Sequence, residues 1–147
     1  MLQWDESLAH QLRRATQAWF ALWQHRIPDL TNPQFAVLLM LSQRGALDQT
    51  TLGALVSVDR STLTLLLDRL EARGLVTRAI DRTNRRRRII ELTDDGERRL
   101  DEAVAVAGAL NEEVQAQLDR DELHRLIGLL RVLGDMSPTI STPSGCH

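Results

Sequence analysis

Five arginines fall within seven positions: Arg82, Arg85, Arg86, Arg87 and Arg88. Guanidinium groups this close repel one another unless a polyanion neutralises them. The chemistry on offer is therefore recognition of phosphate rather than bond making. Upstream, Ser61, Thr62 and Thr64 follow Asp59, with Arg60 and Arg69 nearby. Short hydroxyl side chains at the start of a helix can approach base edges and phosphates. The helix N-terminus itself also favours phosphate. Ser61 and Thr62 can equally be ordinary cap-region residues. Catalytic motifs are missing: no Ser, Cys or His sits in a nucleophile motif, and no glycine-rich phosphate loop is present. His10, His25, His124 and His147 lack metal-ligand spacing. The expectation is a protein that is not an enzyme and needs no cofactor or metal.

The charge distribution points the same way. The net charge of −2 hides a strongly uneven pattern. Residues 60–88 carry nine Arg against three acids, or +6, whereas residues 89–147 carry five Arg against twelve acids, or −7. A short basic block in an acidic chain suggests a local polyanion contact.

The elements that must position these arginines follow from periodicity and caps. Asp5 to about Arg26 reads as a helix with Leu8, Leu12, Ala15, Trp19, Leu22 and Trp23 at helical steps, ended by Pro28. Thr31 and Gln34 have capping-box spacing for a second helix that Gly45 stops. Asp48 caps a short third helix, about Gln49 to Val56. Asp59 caps a fourth, Arg60 to Arg73, with Leu63, Leu66, Leu67 and Leu70 inward and Gly74 as its stop. Strands are expected near Leu75–Ile80 and Arg88–Leu92, joined by the polar loop 81–87. Thr93 caps a long fifth helix to Leu118, in which Leu100, Val104, Ala107, Asn111, Val114 and Leu118 follow a helical period, with Asn111 as the one polar member. Asp119 and Glu122 open a last helix to Leu133.

The fold class expected is mainly α with a small β-hairpin. It is a winged helix-turn-helix, about residues 31–92, flanked by N- and C-terminal dimerisation helices, about 5–27 and 94–133. The domain runs over 1–134, and 135–147 reads as a disordered tail. The apolar stripes of the first, fifth and sixth helices exceed what a small winged core can cover, which marks a dimer interface. A twofold dimer matches a palindromic operator in double-stranded DNA. No apolar run reaches the roughly 18 residues that span a bilayer. The N-terminus has no basic-then-apolar leader. The lone Cys146 excludes an intrachain disulfide, so the cytoplasm is the expected location.

Several segments together resemble the MarR family of bacterial regulators. They are Val58-Asp59-Arg60-Ser61-Thr62, Leu70-Glu71-Ala72-Arg73-Gly74-Leu75-Val76, Asp81 through Arg86, and Leu92-Thr93-Asp94-Asp95-Gly96. The resemblance covers about Ser7 to Leu133. It implies a homodimeric regulator, a repressor or less often an activator, released by a small molecule bound near the dimer interface. Two positions depart from the family pattern. Thr83 stands where the wing usually has its first Arg, and Leu65 stands where the recognition helix often has a basic residue. The DNA-contacting candidates are Arg60, Ser61, Thr62, Thr64, Arg69, Arg82, Arg85, Arg86 and Arg87.

Three of the five aromatic residues lie in Trp19-Phe20-Ala21-Leu22-Trp23. They can be core packing, or the wall of a flat pocket for an aromatic ring. Arg13, nearly two turns earlier, could meet a ligand carboxylate bidentately. Leu12-Arg13-Arg14 through Trp23, with Thr31 to Leu38, is similar to the MarR branch that controls aromatic-acid catabolism. That similarity implies an aromatic carboxylate or its coenzyme A thioester as effector. Arg13, Trp19, Phe20, Trp23 and His10 are then the ligand candidates. Two alternatives stand beside this reading. One is a protein-interaction module that has lost DNA binding, with Leu65 and Thr83 as marks of the loss. The other is a redox sensor using Cys146, which nothing nearby would activate.

Overall fold

The computed structural model describes residues 3–136. Apart from Asp135 and Met136, the expected tail 135–147 lies outside the described residues, as does Cys146. Among the described residues, six α-helices and three strands follow one another. They are α1 (Leu8–Arg26), α2 (Asn32–Arg44), β1 (Leu47–Asp48), α3 (Gln49–Val56), α4 (Arg60–Ala72), β2 (Val76–Ile80), β3 (Arg88–Leu92), α5 (Asp94–Gln115) and α6 (Arg120–Gly134). The chain divides into two units, one ending at Leu110 and the other starting at Asn111.

Local chemistry sets most of the helix starts. The Thr31 hydroxyl accepts from the Gln34 amide, and the Gln34 side chain accepts from the Thr31 amide. Asp48 and Asp59 accept from the amides of Thr51 and Thr62, so α3 and α4 each begin on a carboxylate cap. Asp119 and Glu122 form the reciprocal box at the head of α6. Behind α4, Gly74 takes φ +71°, a backbone that side chains disfavour, and turns the chain into β2.

In the first unit, α4 contributes Leu63, Leu66, Leu67 and Leu70 to a core shared with Leu38, Leu41, Leu52, Val76 and Ile90. Each leucine so buried contributes about 2 kcal/mol of hydrophobic free energy. The sheet is antiparallel in the order β1-β3-β2, with Val76 opposite Leu92 and Ile80 opposite Arg88. Two latches tie segments of this unit together. Arg99 of α5 grips Asp29 with two bonds of 2.9 and 2.7 Å, and Arg73 at the end of α4 donates to the Asp29 carbonyl at 2.6 Å. At the head of α5, the Thr93 hydroxyl donates to the Gly74 carbonyl at 2.6 Å and its amide to the Leu75 carbonyl at 3.1 Å.

The structure corrects four expectations. The first helix starts at Leu8, because Trp4–Glu6 tighten into a separate 3-10 turn and Ser7 is extended, with ψ 127°. The hairpin is part of a three-stranded sheet, because β1 pairs Leu47 with Ile90 and Asp48 with Ile89. The fifth helix closes at Gln115, three residues before Leu118. There the chain tightens, with Gln117 bonding back to Val114 and Leu118 to Gln115, so that Asp119 can take the extended conformation of the next cap. Its buried stripe shares Leu100 and Ala107 with the expected set, but Ala103 and Leu110 are buried in place of Val104, 44 % exposed, and the exposed Asn111.

Candidate nucleic-acid interface

The short turn after α3 is held by Ser57, the one non-glycine residue with positive φ among those described. It swings α4 across α3 and presents one face of α4 outward. Ser61, Thr62, Thr64, Leu65, Asp68 and Arg69 are all exposed there. Residues 82–88 form an exposed wing on the β2–β3 hairpin. Asp81 shapes its first turn by accepting from the Thr83 amide at 2.9 Å and the Thr83 hydroxyl at 2.8 Å. Asn84 shapes the second, accepting from the Arg86 and Arg87 amides. These local bonds, two of them from backbone amides to the Asp81 and Asn84 side chains, give the loop a defined form. They also give Thr83, the odd residue of the wing, a conformational role.

Between the wing and the start of α3 and α4 lies a cleft of about 500 Å³. Gln49, Thr50, Arg60, Thr64, Arg86, Arg87 and Arg88 line it, with Asp48 as its acid. The arginines of the basic block divide into two kinds. Arg73, Arg78 and Arg87 are neutralised within the chain: by Asp29 at 3.4 Å, by Asp68 and Glu71 at 2.7 and 2.5 Å, and by Asp48 at 2.8 Å. Arg60, Arg69, Arg82, Arg85, Arg86 and Arg88 have no ion pair among the described residues. Six unpaired guanidiniums on α4 and the wing form a positive surface suited to a phosphate backbone.

The hydroxyls of α4 are more committed than their spacing suggests. Ser61 Oγ and Thr62 Oγ1 donate to the Asp59 carboxylate at 2.8 and 2.6 Å. Thr64 Oγ1 donates to the Arg60 carbonyl and accepts from Gln49 Nε2, both at 2.9 Å. Their protons are therefore occupied, and what each offers outward is acceptor capacity and, for the threonines, a methyl group. The Thr62 hydroxyl above all, then the Thr62 amide and the Ser61 hydroxyl, hold the Asp59 carboxyl down at about 2. The Thr51 hydroxyl and amide, followed by Arg87, hold Asp48 well below the usual carboxylate range. Asp48 thus caps α3 and anchors the wing through Arg87. Arg87 serves first as a strap, while Arg86, Arg85 and Arg82 are exposed and unpaired. Gln49 and Thr50 are not legible as cleft residues in the sequence, because nothing local brings the head of α3 against α4 and the wing.

The ligand candidates fall into two groups. Arg13 sits over the Trp4 ring, 5.3 Å from its centroid, and lies 3.4 Å from His10 Nδ1. The Trp4 and His10 rings are 4.9 Å apart. Trp19 instead packs on Trp23, which packs on Phe35, at 6.0 and 5.0 Å. Trp23 is buried, and its indole N–H donates to the Leu30 carbonyl at 2.7 Å. Phe20 is exposed. Trp4 is not legible as a site residue in the sequence, because its 3-10 turn, which folds it back toward α1, carries no periodic pattern.

Comparison with known proteins places this geometry. A MarR family profile matches residues 30–87, from the end of the α1–α2 loop to the wing. The transcriptional regulator HosA of Escherichia coli O157:H7 is 37 % identical over 122 residues, covering 83 % of this chain and 90 % of HosA. The chain belongs to the MarR family of transcriptional regulators. Among solved members, the PcaV regulator of Streptomyces coelicolor with its natural ligand superposes with a TM-score of 0.88 at 33 % identity, covering 92 % of this chain and 96 % of PcaV. Bordetella bronchiseptica BpsR, whose DNA binding is regulated by 6-hydroxynicotinic acid, gives 0.88 at 31 %, covering 93 % of this chain and 99 % of BpsR. The fold of this MarR-family chain is a winged helix-turn-helix, with the β2–β3 hairpin as its wing. No described helix is long and apolar enough to cross a membrane.

Proposed function

We propose that this regulator is a cytoplasmic homodimeric repressor that binds a palindromic operator in double-stranded DNA and is released by a small aromatic carboxylate or its coenzyme A thioester. The observation that carries the DNA reading is the set of six arginines left unpaired on α4 and the wing. Arg60, Arg69, Arg82, Arg85 and Arg86 contact the backbone or a groove, while Ser61, Thr62 and Thr64 set the height of α4 through their acceptor oxygens and methyls. Arg87 contributes charge while holding the wing to Asp48. The winged unit spans about 31–92, with about 5–27 and 94–133 as dimerisation helices. Within α6, Leu126, Ile127, Leu129, Leu130 and Val132 are all exposed, an apolar face of the kind that a second copy covers.

The effector class rests on α1 and on the relatives. BpsR responds to 6-hydroxynicotinic acid, an aromatic carboxylic acid. Arg13 offers an exposed guanidinium to a carboxylate, with His10 beside it, and Trp19 and Phe20 offer ring faces. Buried Trp23 supports Trp19 from behind. Selection of random duplexes with the full chain should enrich a palindrome whose half-sites lie about one helical turn apart. Thermal-shift screening with 6-hydroxynicotinic and hydroxybenzoic acids then identifies the effector, because a ligand of the folded state raises the midpoint. Arg13→Ala should abolish that rise while leaving operator affinity unchanged. Failure to enrich any duplex would refute the repressor reading, and a rise retained in Arg13→Ala would remove Arg13 from the site.

A further inference from the structure

We propose that Leu65 reads sequence by packing on the C5 methyl of a thymine in the major groove, an inference that rests on α4 being the recognition helix. The buried stripe of α4 runs through Leu63, Leu66, Leu67 and Leu70. At about 100° per residue, Leu65 lies almost diametrically opposite that stripe. It is 62 % exposed and thus stands at the centre of the face a groove would receive. A leucine there contributes nothing to the core.

Its neighbours leave little else to read bases. The hydroxyl protons of Ser61 and Thr62 are held by Asp59, and that of Thr64 by the Arg60 carbonyl. Asp68, one turn on, is held by Arg78 at 2.7 Å. The centre of the reading face is therefore apolar: the hydroxyl protons and Asp68 around Leu65 are engaged inside the chain, and Arg69, one turn on, is the unpaired polar side chain beside it. In the major groove only thymine presents an apolar group; the other base edges present donors and acceptors that Leu65 would leave unpartnered. Thymine is thus the base that fits opposite Leu65.

The test uses the full-length protein and its selected operator, with each thymine replaced in turn by deoxyuridine, which removes only the C5 methyl. Affinity is read by fluorescence anisotropy at one fixed salt concentration. Burying one methyl corresponds to about a fourfold change in affinity, so one thymine per half-site should show about that loss in the wild type. Leu65→Ala should lose that penalty at the same position and at no other thymine, whereas Leu65→Met, which keeps apolar reach, should retain it. Circular dichroism melting of the variants checks that the fold is intact, as expected for an exposed position. Wild-type affinity insensitive to every deoxyuridine, or an undiminished penalty in Leu65→Ala, would overturn the assignment while leaving DNA binding in place. Failure to enrich any operator would instead overturn the DNA-binding reading, and this inference with it.

Discussion

Gly96 is where the winged unit is most sensitive to a single carbon atom. The Thr93 hydroxyl accepts from the Gly96 amide at 3.0 Å while donating to the Gly74 carbonyl, so the first turn of α5 is laid directly on the backbone that enters β2. A Cβ added at Gly96 would overlap the Leu75 carbonyl oxygen and stand 3.0 Å from its carbon and 2.7 Å from Leu92 Cδ1. Carbon atoms normally meet at about 3.5–4.0 Å, so α5 must retreat by at least about 0.5 Å from a backbone that cannot rotate away. Overpacking of this kind costs about 1–3 kcal/mol. Weakening the Thr93 bonds to Gly74 and Leu75 adds about 1 kcal/mol each. The better helix propensity of alanine returns about 1 kcal/mol. Gly96→Ala should therefore destabilise the protein by about 3 kcal/mol, read as a lower urea midpoint at unchanged slope. If Gly96→Ala were instead neutral or more stable by about 1 kcal/mol, propensity alone would govern the site, and the close approach of α5 to Leu75 would be refuted.

Trp23→Phe keeps the ring against Phe35 but removes the donor to the Leu30 carbonyl; it should cost about 1–3 kcal/mol in urea unfolding, and an unchanged midpoint would mean that the bond is not made. Stability should also fall in acid. Asp29, Asp48, Asp59 and Asp81 all have folded pKa values below the ordinary 3.8, with Asp59 at about 2. Their contribution is complete above the unfolded value and is lost as protons bind on the way down, so the thermal midpoint should drop from about pH 4 toward pH 2. A midpoint flat across that window would deny these carboxylates their native hydrogen bonds.

Much of the fold is written in short-range chemistry. Thr31 with Gln34, Asp48 with Thr51, Asp59 with Thr62, and Asp119 with Glu122 are each three residues apart, so the caps are visible without knowing the tertiary structure. The leucine stripe of α4 is equally plain, because its opposite face is mostly polar. What escaped depends on distant partners. β1 is two residues long and exists only because Ile89 and Ile90 pair with it. The register of α5 is ambiguous in the sequence because alanines and valines alternate through 103–107, and only packing shows that Ala103 rather than Val104 faces inward. At the interface, the arginine cluster is legible from composition. That Arg87 is tied to Asp48, and that the α4 hydroxyls are spent on Asp59 and Arg60, is not.

The central claim is that unpaired arginines of α4 and the wing hold duplex DNA, and its most direct test is the salt dependence of operator binding by the wild type and Arg85→Ala/Arg86→Ala. The logarithm of wild-type affinity should fall steeply and linearly with the logarithm of salt concentration. The variant should bind all duplexes more weakly, with a slope shallower by about one unit for each phosphate left without its guanidinium. Equal slopes and equal affinities would contradict a DNA-binding wing.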